Sequence, residues 1–155
     1  MEVTVSMAGQ KQSLRVLHDT GNTLRDPVSG QPVLVVERDA LRRFWNSEEM
    51  TILTDHAPPE EKLAQLYRQG TAYHFSLVPF RSVGVAGGLL LAVRSDYIAI
   101  GQKKYPRTLI ALSDSVISDG GGYHGLWGVD ERGKDSHVQT VVAEDSAMAS
   151  VQNIG

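Results

Sequence analysis

The 155-residue sequence predicts a small, mainly β body with a helical stretch at about residues 38–70. Three observations carry that reading. Apolar and polar residues alternate near the N-terminus, apolar residues recur at helical spacing in the middle, and from Tyr73 onward short apolar runs are separated by glycines or charged turns.

Taken in order, Val3, Val5 and Met7 alternate with polar neighbours, as do Leu14 and Val16, which predicts two half-buried strands joined by a turn near Gly9. Pro32-Val33-Leu34-Val35-Val36 is a β-branched apolar run, the pattern of a strand buried on both faces. RDALRRFW, residues 38–45, places Leu41, Phe44 and Trp45 on one helical side. A second helix opens at Pro58-Pro59-Glu60-Glu61, with proline in the first turn, acids at the positive dipole end and Gly70 beyond the stop. Its Leu63, Leu66 and Tyr67 form a stripe expected to pack in the core. YHFSLVPF, GGLLLAV, DYIAI and RTLIAL then read as short strands of a barrel or sandwich.

Hydrophobic residues at 41% and charged residues at 21% exclude a wholly disordered or fibrous chain. The absence of cysteine removes disulfides, thiol nucleophiles and cysteine-held zinc. The net charge of −3 lacks the basic excess of a nucleic-acid binder. It is also unevenly placed. Residues 129–155 hold five acids and two bases, leaving thirteen of each sign in residues 1–128. The sequence therefore divides into a body, 1–128, and an acidic, mobile tail, 129–155, with a short strand or helix at residues 138–143 as the alternative for part of the tail. No run of eighteen apolar residues and no signal peptide is present, so the chain reads as soluble.

The chemistry-bearing stretch is LRVLHDTGNTLRDPVSGQPVLVVE, residues 14–37. A strand ends in His18-Asp19-Thr20-Gly21-Asn22. Asp19 would supply a carboxylate at a cleft floor, Thr20 a hydroxyl that locks the neighbouring loop, and Gly21 an N–H free to approach the carboxylate. The same tripeptide also suits an ordinary Asx turn. Downstream lie SVGVAGGLLLAVR, residues 82–94, read as a glycine-punctuated hairpin able to fold over a cleft, then Leu109-Ile110-Ala111-Leu112, then Gly125-Leu126-Trp127-Gly128. Gly87-Gly88 also suits a simple hairpin turn, and Gly120-Gly121-Gly122 a flexible loop. His18 reads as a surface residue, and His56, His74, His124 and His137 show no metal-ligand spacing.

The order of these four elements resembles the retroviral-type aspartic peptidases, in which the last motif packs beside the Asp loop. A closer resemblance rests on Asp19-Thr20-Gly21-Asn22 with Leu24, Asp26-Pro27 and Gln31-Pro32-Val33. It extends through Val78-Pro79-Phe80-Arg81-Ser82-Val83-Gly84, Gly88-Leu89-Leu90-Leu91, Ala111-Leu112-Ser113 and Gly122-Tyr123. Over about residues 14–128 the chain resembles the peptidase domain of the sporulation sigma-E factor processing peptidases (stage II sporulation protein GA).

The resemblance implies a retropepsin-like acid-protease β-barrel, active as a homodimer, with the helical stretch as an insertion. It implies an aspartic endopeptidase of endospore-forming bacteria, acting on the membrane-bound precursor of a sigma factor. In that family a polytopic membrane half precedes the peptidase half, which places the parent protein at the cytoplasmic face of the sporulation septum, on the mother-cell side. This chain reads as the excised domain. No cofactor or metal is implied.

Such a peptidase needs two carboxylates sharing one proton. With one Asp-Thr-Gly, the economical arrangement is a two-fold dimer bringing Asp19 from each copy to the axis, paired through the strand at residues 2–7 or a C-terminal segment. Asp114, Asp26 and Asp119 are the weaker internal candidates. Asp19, Thr20 and Gly21 are thus the expected catalytic residues. Asn22, Val83, Gly84, Val85, Gly87 and Gly88 are expected to meet an extended peptide, with Asn22 equally suited to stabilising the loop. Two rival readings remain: a non-catalytic dimeric β-barrel that binds a peptide or partner, and a magnesium phosphotransferase loop, in which the second Asp would align with Gly21.

Overall fold

A computed structural model describes residues 1–19, 21–82, 85–117 and 120–128. Thr20, Val83, Gly84, Asp119 and the expected tail, 129–155, lie outside the described residues.

The N-terminal alternation forms β1 (Glu2–Met7) and β2 (Gln10–His18), an antiparallel hairpin pairing Glu2 with Arg15 and Met7 with Gln10. Its two turn residues, Ala8 at φ 51° and Gly9 at φ 76°, are both left-handed, as the twist of a tight hairpin requires. β3 (Leu34–Glu37) follows a loop and leads into a 3₁₀ segment, Arg38–Phe44, kinked at Leu41. Leu41, Phe44 and Trp45 are buried as expected.

Two α-helices follow, α1 (Ser47–Thr54) and α2 (Pro59–Arg68). α1 opens on a capping box. The Glu49 N–H donates to Asn46 Oδ1 at 2.7 Å, and the Asn46 N–H donates to Glu49 Oε1 at 2.9 Å. On α2, Leu66 is fully buried but Tyr67 is half exposed, against the stripe expected of it. Its hydroxyl instead donates to the Phe75 carbonyl at the start of the next strand.

The remaining strands are β4 (Phe75–Ser82), β5 (Val85–Arg94), β6 (Tyr97–Ile100), β7 (Lys103–Pro106), β8 (Leu109–Ser113) and β9 (Gly125–Trp127). Together the described strands form one curled sheet in the order β4-β5-β8-β3-β9-β2-β1-β6-β7. β2 runs parallel to β9 and β3 parallel to β8; the other pairings are antiparallel. The described residues are mainly β with three helices, all lying between β3 and β4. Among the described residues of 71–112 there are strands and no helix, without the strand–helix alternation that a phosphotransferase loop of that type wants.

Two sequence expectations change here. β1 is not an edge, because it pairs with both β2 and β6, so its backbone groups are already used within the chain. Gly87 and Gly88 do not form the hairpin turn; both lie within β5, where Gly88 pairs with Phe80. The Phe80 ring covers Gly88 closely enough that a Cβ there would sit 3.0 Å from it.

Strand alternation sorts the apolar residues into two cores. Leu34, Val36, Ile110, Leu112, Leu91 and Val93 face the larger one, with the β1–β2 hairpin, Trp127 and the helices. Val33, Val35, Leu109, Ala111 and Ala92 face a smaller one, closed by Leu24, Val78 and Leu126. β3 is therefore buried on both faces, as its β-branched run predicts.

The loop between β2 and β3 is tied to β5 by Asp26, 2% exposed, whose carboxylate accepts from the Arg94 guanidinium. It also accepts from the Val28 N–H at 2.9 Å and the Ser29 hydroxyl at 3.0 Å. Burial pushes the Asp26 carboxyl up, but the bonds from Arg94, Val28 and Ser29 outweigh it and hold it down at about 2, against an ordinary 3.8. The stabilisation, about 2 kcal/mol, is complete above the unfolded-state value of 3.8 and is lost as pH falls from there through about 2. In urea titrations, Asp26→Asn is expected to cost about 3 kcal/mol at neutral pH, since it leaves the Arg94 charge without its partner. The wild-type advantage over this variant should shrink steadily below pH 4.

Candidate active site

β9 is a short strand wedged between two others, parallel to β2 and antiparallel to β3. Val16 lies opposite Gly125, and His18 opposite Trp127. The wedge fits because Gly125 has no side chain: a Cβ there would lie 2.9 Å from the Val35 carbonyl oxygen and 3.2 Å from a Val16 methyl. Trp127 is buried in the larger core, edge-on to Tyr105 at 5.3 Å between ring centroids.

Directly beyond β2, the backbone N–H of Asp19 donates to the Trp127 carbonyl at 2.8 Å. The chain then turns sharply. The Gly21 N–H donates to Asp19 Oδ1 at 3.0 Å, and the Asn22 N–H donates to the Asp19 carbonyl at 3.0 Å. These contacts hold the Asp19 carboxylate, in a residue 8% exposed, in an Asx turn with a backbone donor on one oxygen. The Asx-turn reading is therefore met, and the Gly21 N–H approaches the carboxylate as expected.

Gly128 completes the arrangement. A Cβ at this position would stand 2.6 Å from the Asn22 carbonyl oxygen and 3.2 Å from that of Asp19, so the Asp19 loop rests directly on a glycine. The Gly125-Leu126-Trp127-Gly128 motif thus sits against the Asp19 loop. Asn22 is 2% exposed. Its Oδ1 accepts from the Leu24 N–H at 3.2 Å, and its Nδ2 donates to the Val33 carbonyl at 3.4 Å, so both ends of the amide serve the loop. His18 is exposed, as expected.

Two of the three internal candidates for a second carboxylate are engaged elsewhere. Asp26 pairs with Arg94; Asp114, with its side chain 71% exposed, pairs with Arg38 at 2.9 Å. Asp119 is outside the described residues. No grouping of three or more histidines, aspartates or glutamates able to hold a metal occurs among the described residues.

Of the expected peptide-binding residues, Gly87 and Gly88 lie on β5 with the Phe80 ring over Gly88. Val85 is placed by its pairing with Ser82, while Thr20, Val83 and Gly84 fall outside the described residues.

Glu37 is a positioning residue that the sequence reading passed over. Its Oε2 accepts from the Ile117 N–H at 2.8 Å, and its Oε1 lies 3.1 Å from His124 Nδ1. The backbone reinforces this: the Glu37 N–H donates to the His124 carbonyl at 2.9 Å, and the His124 N–H to the Arg15 carbonyl at 2.8 Å. Glu37 therefore fastens the segment leading into β9, and through it the strand that supports Asp19. Its position as the last residue of an apolar strand was the only sequence signal available.

Gly128→Ala is expected to cost about 2 kcal/mol in urea unfolding, since the added methyl must displace the Asp19–Asn22 backbone. The amide resonances of Asp19, Gly21 and Asn22 should move most. A variant with unchanged stability and unshifted amides at these positions would show that the loop does not rest on Gly128.

The chain spans 42% of the length of the sporulation sigma-E factor-processing peptidase of Bacillus subtilis (strain 168), to which it is 28% identical over 134 residues, 81% of its own length. It is 27% identical over 124 residues to the protein of the same name from Priestia megaterium (strain ATCC 12872 / QMB1551), covering 76% of this chain and 39% of that one. A relative from Bacillus thuringiensis subsp. kurstaki, whose name also designates a sporulation sigma factor-processing peptidase, is 27% identical over 129 residues, 79% of this chain and 78% of its own. No solved structure matches. The family described as sporulation factor SpoIIGA matches residues 1–128, from the first strand to the glycine beneath the Asp19 loop, and the chain belongs to that family.

Proposed function

We propose that the chain is the catalytic unit of an aspartic endopeptidase, with Asp19 as its catalytic carboxylate and residues 1–128 as the peptidase domain. The observation that carries this reading is the Asp19 turn: a buried carboxylate at a strand end, bonded to the Gly21 N–H and seated on Gly128. The relatives are named sigma factor-processing peptidases, which supports a sigma-factor precursor as the substrate.

In this proposal two copies of the chain meet about a two-fold axis and each contributes one Asp19. The engagement of Asp26 by Arg94 and of Asp114 by Arg38 supports a second carboxylate from another copy rather than from within the chain. The two carboxyl groups share one proton, because adjacent like charges oppose each other's ionisation. The ionised carboxylate takes a proton from water as the water oxygen attacks the scissile carbonyl carbon, and the protonated carboxyl donates to the carbonyl oxygen. Collapse of the tetrahedral intermediate breaks the C–N bond as a proton passes to the leaving nitrogen.

Thr20 is proposed to lock the loop and Gly21 to supply the N–H on the carboxylate. The peptide would run extended beneath the hairpin containing Val83, Gly84, Val85, Gly87 and Gly88, and Asn22 would hold the loop from behind. With β1 internal, pairing of the two copies falls to other segments. The parent protein is proposed to work at the cytoplasmic face of the sporulation-septum membrane, through a membrane-embedded half. Among the described residues no helix is long and apolar enough to cross a membrane.

Asp19→Asn is expected to lower cleavage of a sigma-factor precursor by at least a thousand-fold, about 4 kcal/mol in the barrier, with an unchanged thermal unfolding midpoint. Mass spectrometry of the products reads both the loss and the bond cut. Cleavage that survives Asp19→Asn or Asp19→Ala would overturn the catalytic assignment.

Specific activity should fall on dilution, with half-maximal activity at the concentration where sedimentation shows half of the chains dimeric. Constant specific activity far below that concentration would overturn the shared site.

A further inference from the structure

A second feature lies on the helical side of the sheet. A cavity of about 80 Å³ opens among α2, β5 and β8, walled by Leu53, Leu91 and Leu112 and bordered by Lys62, Arg38 and Asp114. That is enough space for one short side chain.

Lys62 is 6% exposed. Its ammonium carries three donors, and its bond within the chain goes to the Leu53 carbonyl at 3.0 Å. The Arg38 guanidinium donates to the same oxygen at 3.3 Å. Two cations thus converge on one carbonyl at the cavity wall. Arg38 is balanced by Asp39 at 3.1 Å and Asp114 at 2.9 Å. Lys62 forms no ion pair among the described residues, and a buried charge without a counter-charge is costly.

We infer that this cavity binds the carboxylate of a glutamate or aspartate side chain presented by a peptide, with Lys62 as its charge partner and the leucines around its methylene groups. The observations favour a carboxylate over a phosphate. The space is small, and the Arg38 fork is already occupied by two carboxylates, leaving one ammonium to meet one negative charge. Asp114 shows the mode of recognition, since it sits at the rim as a carboxylate on a cation. Being exposed, its own pair is weak and readily rearranged. The cavity shares β5 with the proposed peptide-covering hairpin, so an acidic residue held here would lie at the hairpin's base. The inference itself does not depend on the chemistry of Asp19.

The test is an amide chemical-shift titration of the chain with N-acetyl-glutamate N-methylamide and, separately, its glutamine counterpart. The glutamate probe is expected to shift the amides of Lys62, Leu91 and Leu112 saturably, and the glutamine probe at least ten-fold more weakly. Lys62→Met, which keeps the length of the stem and removes the charge, should abolish the preference for glutamate. Equal responses to the two probes in the wild type would overturn the site, as would full retention of the preference in Lys62→Met. Should Lys62→Met fail to fold, the wild-type comparison of the two probes decides alone.

Discussion

The hydrogen bond from the Asp19 N–H to the Trp127 carbonyl is the contact on which the site depends, because it joins the end of β2 to the end of β9. It requires close backbone approach on both sides, and that approach is open only where side chains are missing. Gly125 lets β9 enter between β2 and β3, and Gly128 lets the Asp19 loop descend onto the chain. Between them Trp127 anchors the strand in the larger core. Two empty positions and one bulky one therefore set where the carboxylate stands.

Around that contact the structure spends much of its buried polarity on loops rather than on chemistry. Asp26 is held by Arg94, Val28 and Ser29; Asn22 by Leu24 and Val33; Glu37 by Ile117 and His124. Each residue fixes a segment that borders Asp19 or leads into the strand supporting it. Side chains satisfied in this way hold their segments rigid, and rigid surrounding loops suit the catalytic role proposed for Asp19.

Much of this was legible in the residues themselves. Alternation found β1 and β2, the β-branched run found β3, and the Pro-Glu-Glu opening found α2, because each signal is local. β7 was missed: KKYP offers no apolar alternation, and it is a strand only because β6 lies beside it. Gly87-Gly88 looked like a turn because paired glycines usually are. Here they serve a cross-strand aromatic, which no local pattern reveals. Asp-Thr-Gly marked the loop, yet the ties of Asp26 to Arg94 and Glu37 to Ile117 are long-range pairings that sequence spacing does not encode.

The parallel pairing of β2 with β9 also governs when the site comes into being. Nearly the whole domain separates Asp19 from Trp127 along the chain, so closing this contact carries the entropy of a very long loop and belongs among the late events of folding. On the ribosome, the Asp19 turn has nothing to rest on until Gly128 has emerged. Chain order alone thus makes the Asp19 loop one of the last parts of residues 1–128 to gain its support.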